Sequence, residues 1–546
     1  MTRNHLHMVG RSVAAAAITA SLVSTLGCGF LGRSDYGETH AINYPGDAEV
    51  MYEEDKALSD EMYTPEIYLL DDGVKPFNTE EYDSLDEQGF IAAATRPLST
   101  VSSDVDTASY CNLRRMLNDG WSVEEIDSGA VRIEEMLNYF DYDYKTPEGN
   151  DLFGVTVHVG ECPWNDQTKL VTLGFATAPE AASIAEKGSN LVFLIDISGS
   201  MDEPDKLDLL KDAFDELVSH LGKNDRVSIV TYAGGEDVVL EGAKGTEGRK
   251  IMRAINRLRA DGSTNGEAGL KMAYEVAERN YIEGGVNRIV MASDGDLNVG
   301  MSSESDLHDY VDEQRETGIY LSVLGFGSGN YKDNKMETLA DHGNGSYHYI
   351  DCIEEAERVL GTKLTANLVP LADDVKLQVE FNPAQVKGYR LIGYENRAMA
   401  DEDFRDDEKD AGDVGPGAQF TVAYEVALTD SKQEIATSDL KYDNGSTGDA
   451  TSDEWLTATI RYQPADGGDT NEQVVAVGKR DLAKDPGEDW RFQAAVIELG
   501  MLLRDSDYAG TASLDQIEDL VGTGKLNAER EGFLDLVDLA LGETIE

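Results

Sequence analysis

The sequence predicts an α/β chain. A doubly wound, mostly parallel sheet of Rossmann-like pattern is flanked by an N-terminal α+β segment and a C-terminal antiparallel β-rich domain closed by helices. Three observations carry this. Between residues 187 and 366, short apolar runs such as "LVFLID" alternate with amphipathic stretches such as "DKLDLLKDAFDELVSHL". That pattern belongs to strands covered by helices on both faces. After Val369 the apolar period drops to two, in "VKLQVEFNP", "AQFTVAYEVAL" and "WLTATIRYQ", as antiparallel strands require. Finally, 546 residues exceed what one core organises, so several domains are expected.

Taken in order, the chain opens like an export signal. Ser12 to Leu26 is uncharged, rich in alanine and too short to cross a bilayer comfortably. It ends in "STLGCGF". A cysteine after a short apolar stretch and a small residue resembles a bacterial lipoprotein signal over residues 1–28, with Cys28 as the lipidated residue, although Thr25 stands where leucine is usual. Cys28 would then be the one membrane anchor, and Gly29 is compatible with the outer membrane. Residues 29–75 are acidic and aperiodic and read as a flexible tether.

Residues 76–186 form an N-terminal extension domain, with a helix expected from Asp106 or Thr107 and another in "AVRIEEMLNYF". "LFGVTVHVGECPW" and "KLVTLGFAT" alternate as strands. Residues 187–366 carry six strand candidates, Leu191–Asp196, Arg226–Tyr232, Asp237–Leu240, Arg288–Ala292, Tyr320–Gly325 and Ser346–Ile350, with helices between them. Residues 367–546 form the C-terminal domain, closing with a helix around Trp490–Leu503 that is apolar almost all round and is expected to pack in the core.

Composition limits the partners. There are 105 Asp+Glu against 46 Lys+Arg, a formal net charge of -59. Such a surface repels nucleic acid and anionic lipid, and fits solubility in a salty medium. Export implies an oxidising compartment. Of Cys111, Cys162 and Cys352, at most one pair forms internally; Cys111 with Cys162 is the expected pairing, because both precede "LVFLID". With no CxxC, a zinc cluster is not expected.

The chemistry concentrates at "LVFLIDISGSM". Loops at the carboxyl ends of parallel strands form the ligand crevice of such sheets. Asp196 ends the first strand, and Ser198 and Ser200 follow at alternate positions, so both hydroxyls can point at one centre. A hard cation needs about six oxygen ligands, so other loops must contribute. "DGSTNGEAGL" offers Thr264 before a helix, and "RIVMASDGDLNVG" offers Asp294 past another strand.

This D-x-S-x-S, Thr, Asp set resembles the metal-ion-dependent adhesion site of von Willebrand factor type A domains. With "RPLSTVSSDVDTASYCNLRRML", "NPAQVKGYRLIGYENR" and "WRFQAAVIELGMLLR", residues 75 to 546 resemble bacterial lipoproteins that join such a domain to an N-terminal extension and a C-terminal domain of unknown function. The resemblance implies Mg²⁺, or Mn²⁺ or Ca²⁺, held directly by Ser198, Ser200 and Thr264. Asp196 and Asp294 would act directly or through water. One coordination position would be left for a carboxylate of a protein partner.

Other motifs carry less. "DVDTA" from Asp104 resembles a phosphatase nucleophile motif, but its Thr107 comes one residue early and a helix follows. "DGDLNVG" from Asp294 fails as a calcium loop at Val299 and Ser305, leaving Asp296 and Asn298 to shape the rim. His342 and His348 are expected in an exposed turn. With no nucleophile–base pair in view, no catalytic residue is assigned and a non-enzymatic binding module is expected. A metal-stapled scaffold is the alternative, and a metal-dependent hydrolase the third.

Overall fold

The computed structural model describes residues 79–179, 187–295, 304–407, 409, 411–436, 448–465, 467–522, 524 and 526–542. The signal at 1–28 with Cys28, the tether at 29–75, and the rim residues Asp296 and Asn298 lie outside the described residues.

The middle of the chain forms a six-stranded sheet. Its strands are β1 (Ser189–Asp196), β2 (Arg226–Tyr232), β3 (Glu236–Lys244), β4 (Val286–Ser293), β5 (Tyr320–Phe326) and β6 (Tyr347–Ile350), in the spatial order β6-β5-β4-β1-β2-β3. All neighbours are parallel except the edge pair β2–β3, which is antiparallel. Helices Leu209–His220, Gly248–Ile255, Gly266–Arg279, Glu304–Arg315 and Asp333–His342 fill the connections.

Burial on both faces of β1 explains why Leu191 to Ile195 are all apolar. Leu191, Phe193 and Ile195 join one core with Phe214, Leu217 and Ile251. Val192 and Leu194 join the other, with Leu270, Ala273 and Ile289. Each such side chain contributes about 1.5–3 kcal/mol on burial. The strand order reverses beside β1, between β1 and β4, so the crevice opens where Asp196 and Asp294 end their strands.

The flanking segments build a five-stranded and a six-stranded sheet that draw on both sides of the parallel domain. One runs Ile91–Ala92, Val386–Ile392, Gln419–Leu428, Lys169–Thr177, Phe153–Glu161. The other runs Ala398–Met399, Leu98–Ser102, Ala372–Phe381, Glu454–Pro464, Asn471–Gly478, with Gly412–Val414 also pairing with Ala372–Phe381. One apolar core lies between them, with Phe153, Leu173 and Phe175 beside Leu377, Phe420 and Leu456. The expected division into separate 76–186 and 367–546 domains is therefore corrected. Period-two strands announce a sheet but not their partners, and here the partners lie across the parallel domain.

Helix Glu488–Leu503 is buried on almost every side, from Trp490 to Leu503, in the core that also takes one face of the parallel sheet. Three other expectations change. Cys111, Cys162 and Cys352 are all free thiols, so the Cys111–Cys162 pair is not formed. Cys111 is sealed inside helix Ala108–Asn118, whereas Cys162 follows strand Phe153–Glu161 and bonds its backbone N–H to Thr168. His348 is not in an exposed turn. It is buried in β6 with Nδ1 3.1 Å from the Thr107 hydroxyl, and burial pushes its imidazole down to about 4. Thr107 is the N-cap residue of helix Ala108–Asn118, but its side chain makes no cap bond; Asp106 instead accepts from the Tyr347 backbone N–H at 2.8 Å.

Candidate metal centre

Four of the five predicted ligands lie where a strand hands over to a loop, and the fifth, Thr264, lies in a loop between two helices. Asp196 is the last residue of β1 and is fully buried. Its Oδ1 accepts the Ser198 backbone N–H at 2.8 Å, which turns the chain sharply after the strand. Its Oδ2 accepts the Ser293 hydroxyl at 3.2 Å. The turn places the Ser198 and Ser200 hydroxyls 3.0 Å apart, on one side of the loop.

Thr264 lies in the loop before helix Gly266–Arg279. That loop is tied to the Ser198 loop by backbone bonds, Gly199 N–H to Gly262 C=O at 3.1 Å and Asp261 N–H to Ile197 C=O at 2.8 Å. Gly262 has φ +89, a conformation that favours glycine and that aims its carbonyl at Gly199. Asp294 follows β4 and is fully buried. The structure thus joins Asp196, Ser198 and Ser200 by direct bonds, joins the Thr264 loop through the backbone, and buries Asp294 nearby.

The electrostatics fit a cation. Burial, the largest cause, pushes the Asp196 carboxyl up to about 6, and the neighbouring Asp294 adds to it, against the Ser198 bonds that lower it. Two buried carboxylates and three hydroxyls form a hard, oxygen-only donor set. Among the described residues no group of three or more His, Cys, Asp or Glu side chains could hold a metal. A site here depends on its hydroxyls.

Two residues of this centre escape the sequence patterns. Lys206 is buried, and its Nζ lies 3.1 Å from Asp294 Oδ2. Asn330 donates to the same oxygen from 3.2 Å and accepts from Lys206 at 3.0 Å. Lys206 stands in "DKLDLLKDAF", which reads only as a helix start. Asn330 stands in "GFGSGNYKDN", just past β5, and the rule that strand ends line the crevice points to it. Ser293 was in view only as the residue before Asp294.

Residues 76–172 match the von Willebrand factor family, 190–359 the von Willebrand factor type A domain, and 366–542 the family described as "Uncharacterized protein YfbK, C-terminal". The Escherichia coli (strain K12) protein "Uncharacterized protein YfbK" is 38% identical over 476 residues, covering 85% of this chain and 82% of that protein. The chain belongs to the YfbK family. A Synechocystis protein, sll0103, is 30% identical over 168 residues, 31% of this chain and 39% of that one. Among solved structures, a von Willebrand factor type A protein from Catenulispora acidiphila aligns with TM-score 0.41 and 16% identity, covering 73% of this chain and 91% of that one.

Proposed function

We propose that this YfbK-family chain is a non-enzymatic binding protein of the cell envelope, tethered by lipid at Cys28, that grips a carboxylate of a protein partner through a divalent cation such as Mg²⁺. The observation that carries this is the placement of Asp196, Ser198, Ser200 and Asp294 at the ends of two neighbouring strands, with the Thr264 loop bonded to the Ser198 loop through the backbone. Ser198, Ser200 and Thr264 would hold the ion. Oδ2 of Asp294 is taken by Lys206 and Asn330, which suits that carboxylate to act through water. A cation held mainly by neutral hydroxyls keeps its pull on an incoming anion. That is the chemistry it supplies.

The scaffold alternative gains less support. The two hydroxyl-bearing loops are already tied by two backbone bonds, so they need no ion as a staple. The net charge of -59 opposes an acidic ligand, so the partner's carboxylate is expected within a basic surface.

A pull-down from envelope extract with the full chain tests this. Capture of a partner should need Mg²⁺, vanish in EDTA, and vanish with Asp196→Ala while that variant melts cooperatively. Capture that survives both would overturn the proposal.

A further inference from the structure

The first described residues, Thr79–Asp83, lie along the loop that follows β5. Thr79 N–H donates to Gly329 C=O at 2.8 Å, and Glu81 N–H to Tyr331 C=O at 3.0 Å. Asp333 N–H donates back to Glu81 C=O at 3.1 Å, and Glu81 forms a parallel bridge with Lys332. Side chains add to this. Glu80 Oε1 accepts Gly329 N–H at 2.8 Å, and its Oε2 pairs with Arg115 at 3.0 Å. Lys332 Nζ bonds the Thr79 carbonyl and lies 2.7 Å from Glu81 Oε1.

The residue between these anchor points is Asn330. Gly329 and Tyr331 are both held by the strap, and Asn330 between them reaches Asp294 and Lys206. A second contact reinforces the path. Gly295, next to Asp294, has φ +88, and a Cβ there would lie 2.5 Å from the Lys332 backbone nitrogen. The Asp294 turn therefore packs directly on the strapped loop.

We propose that the Thr79–Asp83 strap sets the cation affinity of the centre by holding Asn330, with Lys206, on Asp294. Asn330 is then a positioning residue that acts on the ion through Asp294. This rests on the cation reading of the centre. It also gives the Thr79–Asp83 segment a role. A partner or a pull that peels the strap away would loosen Asn330 and weaken the ion's hold. Groups that support a metal ligand in this way typically change affinity 10–100-fold when removed.

The test is calorimetric titration of the full chain with Mn²⁺ alone, with thermal melting to confirm folding. Asn330→Ala should weaken Mn²⁺ binding at least tenfold. Glu81→Pro, which deletes the N–H bonded to Tyr331, and Lys332→Ala, which deletes two side-chain contacts to the strap, should each weaken it by about tenfold. Combining Lys332→Ala with Asn330→Ala should add little to Asn330→Ala alone, because both act on one path. A purely structural strap would lower the melting temperature and leave the Mn²⁺ affinity unchanged. Wild-type affinity in a folded Glu81→Pro or Lys332→Ala chain overturns the inference; if Glu81→Pro fails to fold, Lys332→Ala decides alone. No Mn²⁺ binding by the wild type would instead remove the cation reading, and this inference with it.

Discussion

At the scale of single residues, the centre depends on turns that bring oxygen atoms together. The Asp196 carboxylate shapes its own loop by accepting the Ser198 N–H, so it is both a candidate ligand and a brace. Gly262 is the complementary device on the facing loop. With φ +89 and its carbonyl bonded to Gly199, it holds a backbone conformation that residues with a Cβ adopt only under strain. Gly262→Ala is expected to cost about 1–2 kcal/mol in chemical denaturation and to weaken Mn²⁺ binding. An unchanged affinity would show that the Thr264 loop position does not matter to the ion. The placement of Asp196, Ser198, Ser200 and Asp294 just at or past strand ends was legible because an apolar run that stops at a polar residue is a pattern in the chain itself. Lys206 was not, because its meaning comes only from Asp294 on another loop, while Asn330 carries only the weak signal of lying just past a strand.

At the scale of elements, buried ion networks fasten the helices to one another. Arg132, at the start of helix Ile133–Asn138, is buried and faces Glu135, Asp333 at 2.5 Å and Glu337 at 3.1 Å, the last two on helix Asp333–His342 of the parallel domain. Arg132→Ala would leave three buried carboxylates without this cation and should destabilise the fold by about 3–5 kcal/mol in urea titration. A loss below about 1 kcal/mol would mean that the network rearranges.

Glu498 offers a pH test on another element. Burial in helix Glu488–Leu503 pushes its carboxyl up to about 8, against an ordinary value of 4.5. A group whose folded value is raised binds more protons in the folded state. Its favourable contribution is therefore complete below about pH 4.5 and is lost as pH rises through about 8. Melting temperatures of Glu498→Gln, relative to wild type, should accordingly rise between pH 5 and pH 8; a constant difference would contradict the assignment. The parallel strands were readable to within a few residues, since each is buried on both faces, whereas the edge strand Glu236–Lys244, half exposed, was expected only over Asp237–Leu240. The pairing of Cys111 with Cys162 and the exposure of His348 were misjudged because both depend on which elements meet, which no local period records.

At the scale of the whole molecule, the parallel domain interrupts a single pair of antiparallel sheets. Gln419–Leu428 lies at the centre of one sheet and Ala372–Phe381 at the centre of the other. A chain ending at residue 366 would lose both central strands, and is expected to lack a cooperative melt although it keeps the complete parallel sheet. A cooperative transition in that fragment would restore the division first expected from the sequence. The net charge of -59 acts over the whole surface. Screening should relieve its self-repulsion, so the melting temperature should rise between 0.05 and 1 M NaCl on the order of a few degrees.

The central claim is that Ser198, Ser200 and Thr264 converge on one divalent cation beside Asp196 and Asp294. Anomalous diffraction from crystals of the full chain grown with Mn²⁺ tests it most directly. The account predicts one strong anomalous peak within bonding distance of the three hydroxyl oxygens, absent in Asp196→Ala. No peak among those oxygens, or an equal peak in the variant, would contradict it.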